Sequence, residues 1–208
     1  FMMAEWYRLG FSFEQMIDET VDFITLFVGP VSRVVQTYQD LFIAMTEIDP
    51  LRADFTTLMH YLHQKKIEVP GQTYLDKDVL LNLILAVDIE PNLPDCLFIL
   101  THYPLSQAAL AKSVQNSYEI AERFEIYYKG LELCNGYHEL SDPIELRERF
   151  HASNHVRIKN GKEELSIDEE FMEALEIGLP DCSGVAVGFD RLMMIRHDKK
   201  KITDVISY

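Results

Sequence analysis

Apolar and polar positions change period several times along the chain, and each change marks an element. Phe1, Met3, Glu5 and Tyr7 alternate with Met2, Ala4, Trp6 and Arg8, which reads as a strand already under way at the first residue. Alternation sets an acid and a phenol, Glu5 and Tyr7, on one face. The period then lengthens: Phe13, Met16, Ile17, Val21, Ile24 and Phe27 recur at helical spacing. Ser12 and Gln15 make a capping box at the start of this helix, and Gly29-Pro30 stops it. A short apolar piece, Val31–Val35, precedes a helix from Tyr38 to Thr46. A helical insertion follows at about 49–95, with Asp54 and Asp76 capping helices near 55–66 and 77–88 around a Pro70-Gly71 turn. Cys96–Tyr103 is a compact apolar strand, and SQAALA (106–111) is a loop or short helical turn. Further on, Asp142-Pro143 opens a polar helix running to about Lys159. Ile167–Ile177 is another helix, Cys182–Val187 a strand, Gly188 leads into a helix, and Ile202–Ser207 is a last short segment.

The segment Glu119–Leu140, EIAERFEIYYKGLELCNGYHEL, stands apart. It reads as two long antiparallel strands joined by a tight turn at Lys129-Gly130. Glu119, Glu122, Glu125, Glu132 and Glu139 all fall in it, although strands disfavour glutamate. Either the hairpin has a wet face or these acids hold cations. Strict alternation puts Glu132 on one face and Asn135, Tyr137 and Glu139 on the other. If all of them line one site, the strand must carry a bulge, which the sequence places at Asn135-Gly136.

Composition narrows the class. A formal charge of -15 argues against a nucleic-acid partner and leaves a basic protein or a small cation as the favoured ones. Cys96, Cys134 and Cys182 are widely separated and odd in number, which speaks for reduced thiols, a cytoplasmic setting and no zinc knuckle. No apolar run has membrane-spanning length, and FMMAEWYRLG lacks the features of a signal peptide. His60 with His63, and His151 with His155, read as surface pairs because neither has a carboxylate or motif beside it.

Neither of the common phosphate cradles occurs, and no GxSxG elbow or marked cysteine nucleophile is present. What remains is the strand–glycine–helix run GVAVGFDRL, with Arg191 on the first helical turn. Small residues at Gly184, Ala186 and Gly188 either let a ligand approach the backbone or serve helix–sheet packing.

Taken together, FMMAEWYRLG, RFEIYYKGLELCNGYHEL and GLPDCSGVAVGFDRLMMI resemble the catalytic domain of class II aminoacyl-tRNA synthetases of the lysyl subgroup. They are similar to the second half of motif 2, the strand pair before motif 3, and motif 3. The likeness runs through nearly the whole chain, is weakest in the helical insertion, and is strongest to the paralogue that ligates lysine to elongation factor P. The resemblance implies an α+β fold, an antiparallel six-stranded sheet flanked by helices, truncated at the N-terminus because motif 1 and half of motif 2 are missing. It also implies activation of (R)-β-lysine or lysine with ATP and Mg, transfer to a lysine side chain of elongation factor P rather than to tRNA, and a homodimer for the full-length enzyme. An ordinary lysyl-tRNA synthetase fragment and a non-catalytic binding module are the alternatives. Position by position, Glu5, Tyr7, Asn135, Tyr137 and Glu139 match substrate-binding positions, and Glu125 and Glu132 match the acids that hold magnesium. Leu133 would meet ATP through its backbone, Gly188 would lie against the ligands, and Arg191 would serve adenine and phosphate. Ala186 stands where the synthetases carry glycine. Its methyl either reshapes the pocket near the substrate's α-carbon or only packs better.

Overall fold

The acidic hairpin forms the middle of a six-stranded sheet. In the computed structural model, which describes residues 1–69, 76–108, 110–114 and 119–206, its strands are β4 (Ile120–Tyr128) and β5 (Leu131–His138). Lys129 and Gly130 both have positive φ, 51° and 73°, the geometry that a two-residue hairpin turn of the right twist requires. Around the hairpin lie β1 (Met3–Leu9), β2 (Arg33–Thr37), β3 (Leu97–Pro104) and β6 (Cys182–Gly188), in the order β1-β6-β5-β4-β3-β2. The sheet has the expected six strands but is mixed, not wholly antiparallel: β2, where an apolar piece was expected, joins β3 in parallel. The Pro70-Gly71 turn, Ala109 of the SQAALA loop and Ser207 lie outside the described residues.

Seven α-helices flank the sheet among the described residues. The first, α1 (Phe13–Val28), begins at the predicted Ser12–Gln15 capping box and ends at Gly29. Its apolar stripe of Phe13, Met16, Ile17, Val21 and Ile24 packs on one face of the sheet, against Leu97, Ile99, Phe124, Ile126, Val185 and Val187. The opposite face receives α2 (Tyr38–Thr46), α3 (Phe55–Gln64) and α4 (Lys77–Ile84), capped by Thr37, Asp54 and Asp76. Their core includes Phe98, Leu100, Tyr103 and Tyr127 of the sheet, so residues expected to form an insertion share a core with β3 and β4. The helix expected to run to 88 leaves α-geometry earlier. A π-turn over Leu85–Ile89 follows α4, and a 3-10 turn, Glu90–Asn92, closes it. Beyond the hairpin, α5 (Pro143–Lys159) and α6 (Glu169–Ile177) pack on each other through Leu146, Met172 and Leu175. Finally, α7 (Phe189–Arg196) follows β6 directly, with Gly188 as its cap residue.

All three cysteines are free and buried. The four histidines read as surface pairs are exposed. No helix among the described residues is long and apolar enough to cross a membrane.

Candidate functional site

Residues directly opposed on neighbouring strands share a face, so the strand registers give the face of every candidate residue. Glu5 pairs with Ala186, Ala186 with Asn135, Asn135 with Glu125, and Glu125 with Leu100, a row across five strands. The next row runs Tyr7–Gly184–Tyr137–Arg123. On the other side lie Met3–Gly188 and Tyr127–Glu132. All these side chains occupy the face opposite α1. Nine of the predicted residues therefore share one surface of the sheet: Glu5, Tyr7, Glu125, Glu132, Asn135, Tyr137, Glu139, Ala186 and Gly188.

The irregularity that makes this possible exists, but not where the sequence placed it. Ile126 faces Cys134 while Tyr127 faces Glu132, which leaves Leu133 as the surplus residue of a bulge. Asn135-Gly136 continues in regular register with both neighbours, so that expectation is corrected. Gly136 has a different reason to be glycine: a Cβ there would stand 2.3 Å from the ring of Phe124. Leu133, meanwhile, has no opposite residue in either ladder, and its carbonyl lies 3.6 Å from where a Cβ of Gly188 would stand. Its side chain is buried under α1 while its backbone faces the site.

Glu125 is buried and fully engaged. Tyr103 donates a 2.5 Å hydrogen bond to its Oε2, Tyr127 donates a second, and Arg123 donates 2.5 Å to Oε1. Burial, followed by the charge of Glu125, pushes both phenols far up and keeps them protonated as donors. Arg123 also donates to Asn135 Oδ1 at 3.1 Å and to the Gln107 carbonyl, and it stacks 4.4 Å from the Tyr103 ring. With its oxygen held, Asn135 turns its amide nitrogen to the Tyr137 hydroxyl, 2.7 Å away. A second bulge, between Thr101 and Tyr103 with His102 at φ 58°, turns Tyr103 onto this face.

Two cavities lie along the face. The first, about 470 Å³, is lined by Glu132, Leu133, Asn135, Ala186, Gly188 and Arg191 and roofed by Phe1–Met3, a size suited to a small molecule. Asp190 holds that roof, accepting from the Met2 N–H at 2.6 Å. Arg191 donates to the Glu132 carbonyl, and its guanidinium is 3.5 Å from the Glu132 carboxylate yet about half exposed. The second cavity, about 250 Å³, has Tyr7 and Glu139 at one end and apolar side chains of α5, α6 and Leu110 beyond. Tyr7 and Glu139 converge over Gly184, where a Cβ would meet the phenol ring at 2.5 Å and a Glu139 oxygen at 3.0 Å. That corrects the reading of Gly184 as room for ligand, because Tyr7 already fills the space. Burial pushes the Glu139 carboxyl up to about 7. Glu5 is exposed on the same face but lines neither of these cavities.

A magnesium ion shared with phosphates takes only one or two protein carboxylates, which is compatible with the lack of a cluster of three or more metal-binding side chains among the described residues. Glu132 fits: its side chain is 40% exposed and lines the larger cavity. Burial and then the charge of Glu125 raise its pKa, and Glu90, 3.4 Å from the Tyr127 hydroxyl, is raised by the same two causes. A bound cation would relieve both. Glu125 could join only by exchanging one of its present hydrogen bonds.

Sequence reasoning missed Arg123, Tyr103, Tyr127 and Glu90. Arg123 had the one available signal, a cation two residues before Glu125 on the same strand face. Residues 2–208 match the family model described as tRNA synthetases class II (D, K and N). The chain therefore belongs to the class II aminoacyl-tRNA synthetase family of that group, whose ATP- and magnesium-dependent ligase chemistry builds on an α+β domain of this kind.

Proposed function

We propose that the chain activates (R)-β-lysine, or lysine, as its adenylate and transfers it to a lysine side chain of elongation factor P. The observation that carries this reading is the shared sheet face. It sets two carboxylates and a phenol, Glu5, Glu139 and Tyr7, beside a cavity floored by Ala186 and Gly188 and ending at Glu132 and Arg191. A substrate with two ammonium groups needs two counter-charges with polar neighbours, and a triphosphate needs a cation and a hard-oxygen metal site.

On this reading Glu139 and Tyr7 hold the distal ammonium and Glu5 counters the other. The substrate carboxylate points along the face toward Gly188. One of its oxygens attacks the α-phosphorus, forming the mixed anhydride as the bond to pyrophosphate breaks. No side chain acts as a nucleophile; alignment and charge neutralisation carry the rate. Arg191, planar and half exposed, lies under the adenine, and the free backbone of Leu133 meets its edge. Magnesium at Glu132 would neutralise the departing phosphates. The methyl of Ala186, facing both Glu5 and Asn135, narrows the floor beneath the substrate's α-carbon, which favours the β-amino isomer.

The test is exchange of labelled pyrophosphate into ATP, with (R)-β-lysine and with lysine, followed by transfer to elongation factor P or to lysine tRNA. Amino-acid-dependent exchange and labelling of the protein acceptor are expected, and Ala186→Gly should shift preference toward lysine. Exchange indifferent to either isomer overturns the proposal. Labelling of tRNA instead assigns the chain to the lysyl-tRNA synthetases.

A further inference from the structure

The cavity beyond Glu139 is larger than an ammonium needs. An apolar cavity of ~150 Å³ can hold benzene, and this one measures about 250 Å³. Past Glu139 and Tyr7 its walls are Leu110, Leu140, Leu146, Phe171, Ala174 and Leu175, with no charged side chain among the residues that line that part. It lies where α6 and the segment after it cross the end of the sheet. Leu140, Leu146 and Leu175 at its base belong to the small core there, while Phe171 and Ala174 form an exposed rim. The two cavities lie end to end along β6: Ala186 and Gly188 border one, and Gly184, under Tyr7 and Glu139, marks the near end of the other. The Glu139 carboxylate thus stands between the compartment that holds Glu132 and Arg191 and one whose far walls carry no charge.

We propose that the cleft beyond Glu139 is a second compartment of the amino-acid site, taking an alkyl group carried on the substrate's distal ammonium nitrogen. The charge selects the occupant. A neutral hydrocarbon would leave Glu139 uncompensated, and an arm ending in a further charge would carry that charge into an apolar pocket. A secondary ammonium with one aliphatic arm satisfies both ends, its N–H on Glu139 and its chain, up to roughly six carbons, among the leucines. The raised pKa of Glu139 fits a carboxylate waiting for such a partner. This inference deepens the proposed function and rests on it for the placement of the amino acid, but the cleft can be tested separately.

The direct test is calorimetry of the full chain at pH 8 with n-hexylammonium and n-hexanol as probes. Hexylammonium is expected to bind at least tenfold more tightly than hexanol. Ala174→Phe, which fills the cleft from its rim, should lower that affinity at least tenfold, and Glu139→Gln should remove the preference over hexanol. In pyrophosphate exchange, Nε-hexyl-lysine should be used with a KM within about threefold of lysine by the unmodified chain. Ala174→Phe should raise only the KM for the alkylated substrate. No binding of hexylammonium, or equal loss of lysine and hexyl-lysine in Ala174→Phe, overturns the compartment. Failure of exchange with every amino acid while hexylammonium still binds with these preferences counts against the adenylate reading and leaves the cleft standing.

Discussion

Arg123 has the largest leverage of any single side chain on the site. Four contacts, to Glu125, Asn135, the Gln107 carbonyl and the Tyr103 ring, fix one guanidinium, and lysine could not reproduce that fork. Arg123→Met should cost about 3–5 kcal/mol in urea denaturation, because it leaves Glu125 buried without its cation. It should also raise the KM for the amino acid by freeing the Asn135 amide to turn. Glu139 sets a pH dependence of the opposite kind. With its carboxyl pushed up to about 7, it is protonated below that pH and offers no counter-charge. The KM for lysine should therefore rise as pH falls through about 7, whereas Glu139→Gln should show a flat profile over the same range. The lysine ammonium itself stays charged there.

Single strands and helices carry the next level of argument. The two bulges are what set Glu125, Glu132, Asn135 and Tyr103 on one surface, and neither position could be read from the chain. A bulge is fixed by what lies opposite, here Tyr127 across from Glu132, and a sequence read strand by strand has no such information. Local signals, by contrast, read true. Ser12 with Gln15, Asp54, Asp76 and Lys129-Gly130 each act through bonds or dihedrals within a few residues, and each stands where the pattern put it. Deleting Leu133 should keep Glu132 and Asn135 on the same face but remove the unpaired backbone beside Gly188. ATP affinity should fall more than lysine affinity, while Leu133→Ala, which keeps that backbone, should lose stability and retain the ATP affinity. A different tie joins β4, β5 and the entry to β6. His138 is held between Glu122 and Asp181, and Lys112 contacts Asp181 at 3.2 Å. The hydrogen bond to Glu122 raises the His138 pKa against the effect of burial, with Asp181 adding to it, and the bonds from His138 and Lys112 lower that of Asp181. The charged imidazole's contribution to stability is full below its ordinary value near 6.5 and is lost as pH rises through the higher folded value. The contribution of Asp181 is present above about 3.8 and lost on acidification. Melting temperature should peak between those limits, and His138→Gln should flatten its alkaline side.

Across the whole molecule, the sheet is sandwiched between a layer that only supports it and a layer that shares its chemistry. α1 packs on Phe124, Ile126 and Val187 and reaches nothing on the far side, whereas the core of α2–α4 includes Tyr103 and Tyr127, the two phenols on Glu125. Ligands at about 100 times their dissociation constant should add about 2.7 kcal/mol to unfolding. Hydrogen exchange should show that gain in α3 and α4 as well as in β4 and β5, and Tyr127→Phe should weaken the transfer. The amphipathic stripes of these helices were legible from their spacing. Which face of the sheet they would cover was not, since it depends on the β3–β4 register and on helices brought together from 38 to 92.

The π-turn over Leu85–Ile89 winds one residue more per turn than an α-helix. On its far side Asp88 meets the Tyr61 hydroxyl and Lys65, and just past it Glu90 reaches the Tyr127 hydroxyl. An ordinary turn would rotate everything downstream by about 100°, swinging Glu90 away from the phenol. The chain thus keeps a single spare residue as a phase adjuster, and shortening the 85–89 stretch by one should break the Glu90–Tyr127 contact and lower the melting temperature of the core that the helical layer shares with the sheet.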